Sequence, residues 1–521
     1  MTRRTEVILA IAGGVLMLAG GTLTRKNRLP VRSITLNDVC HTPATIIERR
    51  IDWIPEGASL SYNAIVLHGL SANRRVMYSV GQRLAETGIR VYLLDSPGEG
   101  DSKERFSFRN AERCAEESIA SLARSGQIEM NRTVFVGHSL GGAIAVRLAD
   151  EFPDAAGTIA LSPAPLVLPR RIPANLLIVS AQFDPPQLVS AAKQLLSSAA
   201  GPRTADADFQ QRRAVGFIRV PWEMHSSVLL QSRATSAATD WAIQALGIPA
   251  RGPVTRHEGL ALLGCVIALA GLFLPFPLAA TLVCRVFGSR SARAQSANST
   301  GERSAALHGH FGAGAILLRG LVVAIVAAGL LIPGVPLRAL HLYGADYLTS
   351  FLIFAGLLLL ALLPRAIRGD AGMGTGNVMA GGALGLLSAV MLGAALNWQV
   401  FDFWPNAPRW WRFAPLVLAC WPYFAAEELA LGPPRNAGNF GRWGVFLGLR
   451  IELFLALALG YFGFRSGQFL PLLLAPALLI LSIAQRFGGD ALRRRTGSAA
   501  AAATFDAILA AWFLATVFPL Q

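Results

Sequence analysis

The pattern of apolar and polar residues changes twice along the chain. It begins with one apolar run, Val7 to Leu23, continues with short apolar runs that alternate with stretches of helical spacing, and ends with long apolar spans separated by short loops. Spans of the last kind have the length that a bilayer requires of a helix. The pattern predicts three parts: an N-terminal transmembrane anchor over 1–27, an α/β domain over 28–250 and an all-α, polytopic transmembrane bundle over 251–521.

The short runs of the middle part are rich in β-branched and aromatic residues, which favour strands. They predict strands at Ile46–Trp53, Ala64–His68, Arg90–Asp95, Thr133–Val136, Gly157–Ser162, Asn175–Ser180 and Ala214–Val220. Stretches of helical spacing lie between these runs. Such alternation favours a mostly parallel sheet that is covered by helices on both faces.

The last part predicts about eight membrane helices. Its apolar spans place them near 259–284, 311–333, 347–363, 377–397, 413–431, 443–464, 469–485 and 500–519. With the first run, this makes about nine crossings. The stretch Gly288–Arg303 is rich in glycine, serine and arginine and is predicted to be a loop. Because no convincing cleavage site follows Leu23, the first run is interpreted as a retained signal anchor, with a cleaved signal peptide as the alternative.

Composition also indicates a membrane protein. Of the 521 residues, 53% are hydrophobic and only 15% are charged, which is too apolar for a soluble protein of this size. The net charge of +15 is carried almost entirely by arginines in short loops, so the positive-inside rule explains it better than a nucleic-acid partner does. The five cysteines form no C-x-x-C pattern, and neither a metal site nor another cofactor is expected.

The arginines are distributed unevenly between alternate loops. With the N-terminus in the cytoplasm, the cytoplasmic side carries Arg3, Arg4, Arg285, Arg290, Arg293, Arg303, Arg365, Arg368, Arg435, Arg442, Arg486, Arg493, Arg494 and Arg495. The short loops of the other side carry Arg338, Arg409, Arg412 and Arg465. Basic residues beside the first two spans weaken the contrast, namely Arg25, Lys26, Arg28, Arg251 and Arg256. The bias predicts a bacterial cell-membrane protein with its α/β domain outside the cytoplasm.

One stretch of the middle part points to chemistry. Thr133-Val-Phe-Val-Gly-His-Ser-Leu-Gly-Gly142 ends a predicted strand and begins a predicted helix, which places Ser139 at the turn between them. A serine in so sharp a turn has a strained backbone and presents its hydroxyl beyond the edge of the sheet, while Gly137 and Gly141 leave room for strand and helix to cross. The pattern G-x-S-x-G in this context indicates a nucleophile elbow.

Two further motifs precede the elbow. One predicted strand runs into His68-Gly69-Leu70, and the next runs into Asp95-Ser-Pro-Gly-Glu-Gly-Asp-Ser102. Together with the elbow, these motifs make the chain from about Ala64 to Leu246 resemble the α/β-hydrolase superfamily. A departure is Glu99, which stands where many members have histidine.

The resemblance implies an α/β-hydrolase fold and an oxyanion hole formed by the backbone N–H groups of Leu70 and Leu140. It implies a structural role for His68, beside the oxyanion loop. Relatives with a lid insert it between the strands that end near Ser162 and begin near Asn175, and only about a dozen residues lie there. A lidless hydrolase is therefore expected, with an open mouth near three apolar residues: Phe183, Trp222 and Met224.

A base and an acid for Ser139 follow it in the order of this family, acid before histidine. Asp184 comes just after an apolar strand, where the family's acid sits, and His225 follows the last predicted strand. We expect His225 to take the proton of Ser139 and Asp184 to orient the imidazole. The alternatives are a turn aspartate and a surface-loop histidine. His138 is adjacent to the nucleophile but is expected to point elsewhere.

These features predict a membrane-anchored serine hydrolase that cleaves an ester, thioester or amide bond in a small-molecule, lipid or acyl substrate. A serine aminopeptidase shares the same fold and motifs and remains open. The alternative from another class is a transporter or lipid-handling membrane protein, with the hydrolase domain as an accessory or binding module. Glu427-Glu428 also resembles the E-E-x-x-x-R motif of CAAX-processing intramembrane metalloproteases, but the arginine comes late, at Arg435.

Two structural expectations complete the analysis. Charged residues within the predicted spans should face inward and pair, because each would cost about 2.5 to 3.5 kcal/mol or more in lipid; they are Arg319, Glu427, Glu428, Arg450, Glu452 and Asp506. The short loop between the sixth and seventh spans predicts that Glu427 or Glu428 contacts Arg450. Cys40 and Cys114 could form a disulfide outside the cytoplasm, although nothing in the sequence brings them together.

Overall fold

The structure, a computed structural model, describes residues 2–49, 62–165, 167–200, 209–249, 258–287, 313–331, 338–364, 372–397, 402–434 and 440–521. Its contacts divide the chain into two units. The sheet unit consists of Gly20–Val266, Leu396–Asp402 and Pro519–Gln521. The helical unit consists of Met1–Ala19, Ile267–Ala395 and Phe403–Phe518.

The sheet unit is built on eight strands. They are β1 Val31–Thr35, β2 Pro43–Ile47, β3 Asn63–Leu67, β4 Arg90–Leu94, β5 Thr133–His138, β6 Gly157–Leu161, β7 Leu176–Ala181 and β8 Val215–Val220. Their order across the sheet is β1-β2-β4-β3-β5-β6-β7-β8. β2 pairs with β1 and with β4 in antiparallel fashion, and all other neighbours are parallel. The predicted mostly parallel sheet is confirmed.

Helices follow the strands and cover both faces of the sheet. The chain begins with α1 (Arg3–Lys26), and the sheet unit then contains α2 Tyr78–Glu86, α3 Phe108–Arg124, α4 Leu140–Arg147, α5 Pro186–Ala200 and α6 Ser232–Ala245. Successive residues of one strand enter different apolar cores. Leu177 joins α2 and α6 in one core, whereas Leu176 and Ile178 join α5 in the other. This alternation is what a strand buried on both faces requires.

The first two strands differ from the prediction. β1 was not predicted, because Val-Arg-Ser-Ile-Thr lies mostly exposed at the sheet edge and shows no strong apolar pattern. The strand predicted at Ile46–Trp53 is β2 and begins earlier, at Pro43. Residues 50–53 of that prediction lie outside the described residues, as does the predicted loop Gly288–Arg303.

The remaining helices are α7 Glu258–Phe273, α8 Phe276–Val286, α9 Ala313–Leu330, α10 Ala345–Leu362, α11 Thr375–Asn397, α12 Ala407–Leu431, α13 Phe440–Ala458, α14 Leu470–Leu473, α15 Ala475–Thr496 and α16 Ala499–Val517. Seven helical segments of the described chain are long and apolar enough to cross a membrane: Arg3–Lys26, Gly259–Val286, Ala313–Leu330, Ala345–Leu362, Thr375–Leu396, Gly441–Gly463 and Ala499–Val517.

The described residues thus contain seven candidate crossings, against the nine expected, and the expected number stays a prediction. The two predicted spans at 413–431 and 469–485 do form helices, α12 and α15. α12 contains two prolines and the Glu427-Glu428 pair, and α15 ends in a run of arginines. Helices with this polar content are not among the seven candidate segments.

Charged side chains are buried in the helical unit and pair with one another. Their centre is Glu428, whose carboxylate lies 2.5 Å from Arg486, 3.3 Å from Arg442 and 3.5 Å from Arg493. Asp490 joins this ion network through Arg442 and Arg486. The predicted contact of the sixth and seventh spans is confirmed, since Arg450 Nη2 lies 2.8 Å from Glu427 Oε2. Inward burial is confirmed for these residues and Asp506, while Arg319 and Glu452 are only half-buried.

A disulfide crosslinks two distant parts of the sheet unit. Cys40, in the turn before β2, is bonded to Cys114 of α3, with their Cα atoms 5.8 Å apart. Polar contacts surround the bridge, since the buried Ser118 hydroxyl donates to Asp38 at 2.5 Å. The fold brings the two cysteines together, which the sequence alone did not indicate.

Candidate active site

The predicted elbow is present at the junction of β5 and α4. Ser139 follows the last residue of β5 and precedes the first residue of α4, with φ 53° and ψ −116°. Few residues with a side chain adopt this backbone conformation. A Cβ on Gly137 would lie 2.0 Å from the carbonyl oxygen of Gly141, so both glycines are required where strand and helix cross. The Ser139 side chain is thereby fixed at the carboxyl end of the central strands.

The structure brings two of the predicted catalytic side chains together. Asp184 lies just after β7 and His225 lies in the loop after β8; His225 Nδ1 is 2.8 Å from Asp184 Oδ1. Both residues are buried. The second ring nitrogen, His225 Nε2, is also buried and has no hydrogen-bond partner, so the structure contains no Ser139–His225 hydrogen bond. Hydrogen bonds of this kind are often long in the absence of substrate.

The Asp184 carboxylate is held by neutral donors as well as by His225. Its Oδ2 atom accepts hydrogen bonds from the Ser162 hydroxyl at 2.7 Å, the Ser180 hydroxyl at 3.0 Å and the Ala181 N–H at 2.8 Å. Burial raises the pKa of this carboxyl, but the hydrogen bonds from His225, Ser162 and Ala181 outweigh burial and hold the pKa below its usual value. Asp184 is therefore a carboxylate that can only accept, which puts a proton on His225 Nδ1.

His138 has a role that the sequence did not indicate. Its ring packs against the ring of His225 with centroids 4.7 Å apart, and its Nε2–H donates to the His225 backbone carbonyl at 2.9 Å. Burial, followed by the nearby His225, lowers the pKa of His138 to about 3. His138 is thus a neutral residue that positions the His225 backbone and places the Ser139 turn next to the His–Asp pair.

The two predicted oxyanion donors belong to two segments that meet at Ser139. Leu140 begins α4, and the first N–H groups of a helix have no acceptor within it. Leu70 lies in the loop after β3, and this loop touches the nucleophile because a Cβ on Gly69 would lie 2.9 Å from Ser139 Cβ. His68 fixes the loop: its Nδ1–H donates to the Gly69 carbonyl at 2.8 Å.

The loop is fixed at two further points. His68 Nε2 accepts the Ser96 N–H at 3.0 Å, which confirms the structural role expected for this histidine. The Ser71 N–H donates to the carboxylate of Glu99. Glu99, the departure from the family's histidine, thus holds the residue that follows Leu70.

The mouth of the site is flanked by short loops. The connection from β6 to β7 covers only residues 162–175, and its described part contains no helix or strand. Phe183, Trp222 and Met224 are exposed on the loops that carry Asp184 and His225. Within the described chain, no group of three or more His, Cys, Asp or Glu side chains is placed to hold a metal ion.

Comparisons with known proteins agree with the fold. Residues 64–258 match the sequence profile of the alpha/beta hydrolase family. A curated relative, a candidate non-heme haloperoxidase of Mycobacterium phage D29, is 32% identical over 89 residues, which make up 17% of this chain and only 31% of that protein.

Two solved structures illustrate the structural similarity. The esterase of Pyrobaculum calidifontis is 14% identical with a TM-score of 0.33, over 47% of this chain and 94% of its own. The monoacylglycerol lipase of Paleococcus ferrophilus is 17% identical with a TM-score of 0.29, over 35% of this chain and 94% of its own. Since the family profile and the sheet topology agree, this chain carries in residues 64–258 a domain of the alpha/beta hydrolase family, joined to a large region of apolar helices.

Proposed function

We propose that the protein is a membrane-anchored serine hydrolase in which Ser139 is the nucleophile, His225 the base and Asp184 the acid that orients the base. One observation carries this proposal. A buried serine in a strained turn directly follows His138, whose ring packs on the ring of His225, and His225 is paired with Asp184 while its outer ring nitrogen has no hydrogen-bond partner. An activated nucleophile needs this combination of groups.

The proposed reaction is acyl transfer to water. Ser139 Oγ attacks the carbonyl carbon of the substrate while His225 Nε2 takes its proton, and the imidazolium that forms is stabilised by Asp184. The negative charge on the carbonyl oxygen is met by the N–H groups of Leu70 and Leu140, each of which typically lowers such a barrier by about 3 to 4 kcal/mol. His225 then protonates the leaving group. In the second half of the reaction, water attacks the acyl-enzyme carbonyl while His225 takes its proton, and Ser139 leaves and is reprotonated by His225.

We place the catalytic domain outside the cytoplasm. The Cys40–Cys114 bond supports this placement, because disulfides are rare in the reducing cytoplasm and persist outside it. The bias of arginines toward the opposite loops supports the same orientation. The seven apolar helical segments would serve to hold the domain at the membrane.

Labelling with a fluorophosphonate tests the proposal, since this reagent reacts with an activated serine. The full-length protein should be labelled at Ser139 and the Ser139→Ala variant should not be labelled. Ser226→Ala is the matched control, because Ser226 is an exposed serine beside His225 and its loss should leave labelling unchanged. Undiminished labelling of a folded Ser139→Ala protein would overturn the assignment. A chain-length series of acyl esters, run beside aminoacyl amides, separates an esterase from an aminopeptidase.

A second candidate function has its own support. Buried ionisable groups within membrane helices are costly and often mark a pathway for ions or polar groups, and the ion network around Glu428 is of this kind. On this alternative, the protein is a transporter or lipid handler and its hydrolase domain is accessory. Translocation of a labelled lipid by Ser139→Ala protein in vesicles, lost on Glu428→Gln, would favour it.

A further inference from the structure

Three large apolar side chains project from the loops that carry the proposed catalytic acid and base. Phe183, directly before Asp184, is 52% exposed; Met224, directly before His225, is 53% exposed. Trp222 is 81% exposed, and its ring lies 6.2 Å from that of Phe183. A cluster of this kind on a domain surface marks an interaction site. We call these three residues the apolar tip.

The tip is held in place by its backbone. Trp222 has a φ of 61°, in the left-handed region that bulky residues seldom adopt. Hydrogen bonds between the two loops maintain this conformation: the Trp222 N–H donates to Gln182 Oε1 at 2.8 Å, and the Phe183 N–H donates to the Glu223 carbonyl at 2.9 Å. A strained conformation held from both sides points to a function for the exposed ring.

The loop of the tip lies close to the ends of two candidate membrane helices. Leu230, five residues after His225, lines a small cleft together with Asn27, next to the end of α1, and Ala261, in the first turn of α7. These ends belong to the sheet unit, and α1 and α7 both lie in segments apolar enough to cross a membrane. The loop that carries Trp222 and His225 therefore leads, through Leu230, to the segments of the sheet unit in which α1 ends and α7 begins.

The side chains of the tip suit the surface of a bilayer. Tryptophan is enriched at the head-group level of membranes, because one part of its ring is apolar and its N–H can remain hydrated. Phenylalanine and methionine supply further apolar area. Arg219, exposed on the adjoining strand β8, can meet lipid phosphate.

We propose that Phe183, Trp222 and Met224 form a docking surface that inserts into the head-group region of the bilayer and gives Ser139 access to a membrane-borne substrate, an amphiphile that carries an acyl ester. The choice of substrate rests on the proposed function. The docking itself does not, and it can be measured without hydrolysis.

Quenching of tryptophan fluorescence tests the docking. The full-length protein is reconstituted into phosphatidylcholine–phosphatidylglycerol vesicles with bromine at carbons 6 and 7 of the acyl chains. Because the chain contains ten tryptophans, the emission of Trp222 is obtained as the difference between the wild type and Trp222→Phe. We expect brominated lipid to quench this difference emission. The difference for Trp241→Phe, a ring whose N–H is bonded to Asn175 inside the sheet unit, should not be quenched. An unquenched Trp222 would overturn the docking.

Turnover tests the substrate class. For each protein, the rate on a long-chain ester within the vesicles is divided by the rate on a soluble short-chain ester. Trp222→Ser with Met224→Ser should lower this ratio about tenfold, because burial of large apolar side chains would no longer hold the site at the bilayer. Phe108→Ser is the matched control, since Phe108 is 49% exposed but begins α3, outside the two loops that carry the tip.

The outcomes separate the two proposals. An unchanged ratio in the double variant, with Trp222 quenched by brominated lipid, would overturn the membrane-borne substrate and leave the docking. A wild type that hydrolyses neither ester would overturn the proposed function, while the quenching result would still decide whether the tip docks.

Discussion

Both units of this protein bury ionisable side chains, but they satisfy them differently. In the helical unit, Glu428 has three arginines within 3.5 Å, and Asp490 shares two of them. In the sheet unit, the proposed acid Asp184 has one ionisable partner, and that partner retains an unpaired nitrogen. Opposite charges that surround one another hold helices in place. A single pair that keeps a spare nitrogen is what the proposed proton transfer from Ser139 requires.

The largest effect should follow from the loss of the proposed acid. Asp184→Asn is expected to lower kcat on a soluble ester about 10³- to 10⁴-fold, because an amide no longer fixes the Nδ1–H tautomer of His225. The free energy of unfolding should change little, since the amide oxygen can still accept from Ser162 and Ser180. Steady-state kinetics and SDS-induced unfolding measure the two quantities. If the free energy of unfolding fell by as much as the activation barrier rose, Asp184 would have a structural role.

In the ion network, a substitution is expected to lower stability and leave turnover unchanged. Glu428→Gln leaves its arginines without their shared carboxylate, and breaking a buried pair typically costs about 3 to 5 kcal/mol of stability. SDS-induced unfolding should show this loss, while turnover of the soluble ester by protein that remains folded stays unchanged. Glu452→Gln is the control, because Glu452 is half-buried and its Oε2 makes no hydrogen bond. An equal loss of stability in Glu452→Gln would mean that the ion network contributes no more than a single carboxylate outside it.

The disulfide gives an effect of about the same size, confined to the sheet unit. Cys40 and Cys114 are 74 positions apart, and in the chain-entropy model a loop of that length contributes about 4 kcal/mol. Replacing both by serine should lower the thermal midpoint of the sheet unit, whereas Cys420→Ser, a buried free thiol of the helical unit, should leave it unchanged. Non-reducing mass spectrometry checks the bond directly, and two free thiols in the native protein would refute it.

The smallest effect concerns pH and His138. Its pKa is about 3 in the folded protein but near 6.5 when unfolded, so between these values the unfolded chain binds the extra proton. The stability that comes from neutral His138 is complete above pH 6.5 and is lost as the pH falls, by about 2 kcal/mol at pH 5. His138→Gln should therefore lose about 2 kcal/mol less than the wild type between pH 7 and pH 5 in thermal unfolding. Equal losses of stability in the wild type and in His138→Gln would contradict the low pKa of His138.

The sequence was sufficient where local pattern decides the structure. The parallel strands and the elbow at Ser139 follow from apolar runs and short motifs, and their placement is confirmed. The choice of Asp184 and His225 follows from the resemblance to the hydrolase family, and the structure pairs their side chains. That these three residues act as a triad stays a prediction. The contact of Glu427 with Arg450 could be predicted as well, because a short loop makes their helices neighbours.

The rest depended on contacts between distant segments. Ser162 reaches Asp184 because β6 and β7 pair in the register Leu161↔Val179, and no motif encodes that register. The packing of His138 on His225 and the approach of Cys40 to Cys114 arise in the same way. β1 was missed because an exposed edge strand needs no apolar alternation. The number of spans stays a prediction, because α12 and α15 form helices at the predicted positions but contain charged residues.

The three donors on Asp184 Oδ2 bear on how many protons move in the proposed reaction. With that oxygen fully occupied and the carboxyl pKa held low, Asp184 gains nothing by accepting the proton from His225. A single proton then travels, between the Ser139 hydroxyl and the imidazole. In mixtures of light and heavy water, the rate should fall linearly with the deuterium fraction. A curved dependence would show that a second proton is transferred in the same step.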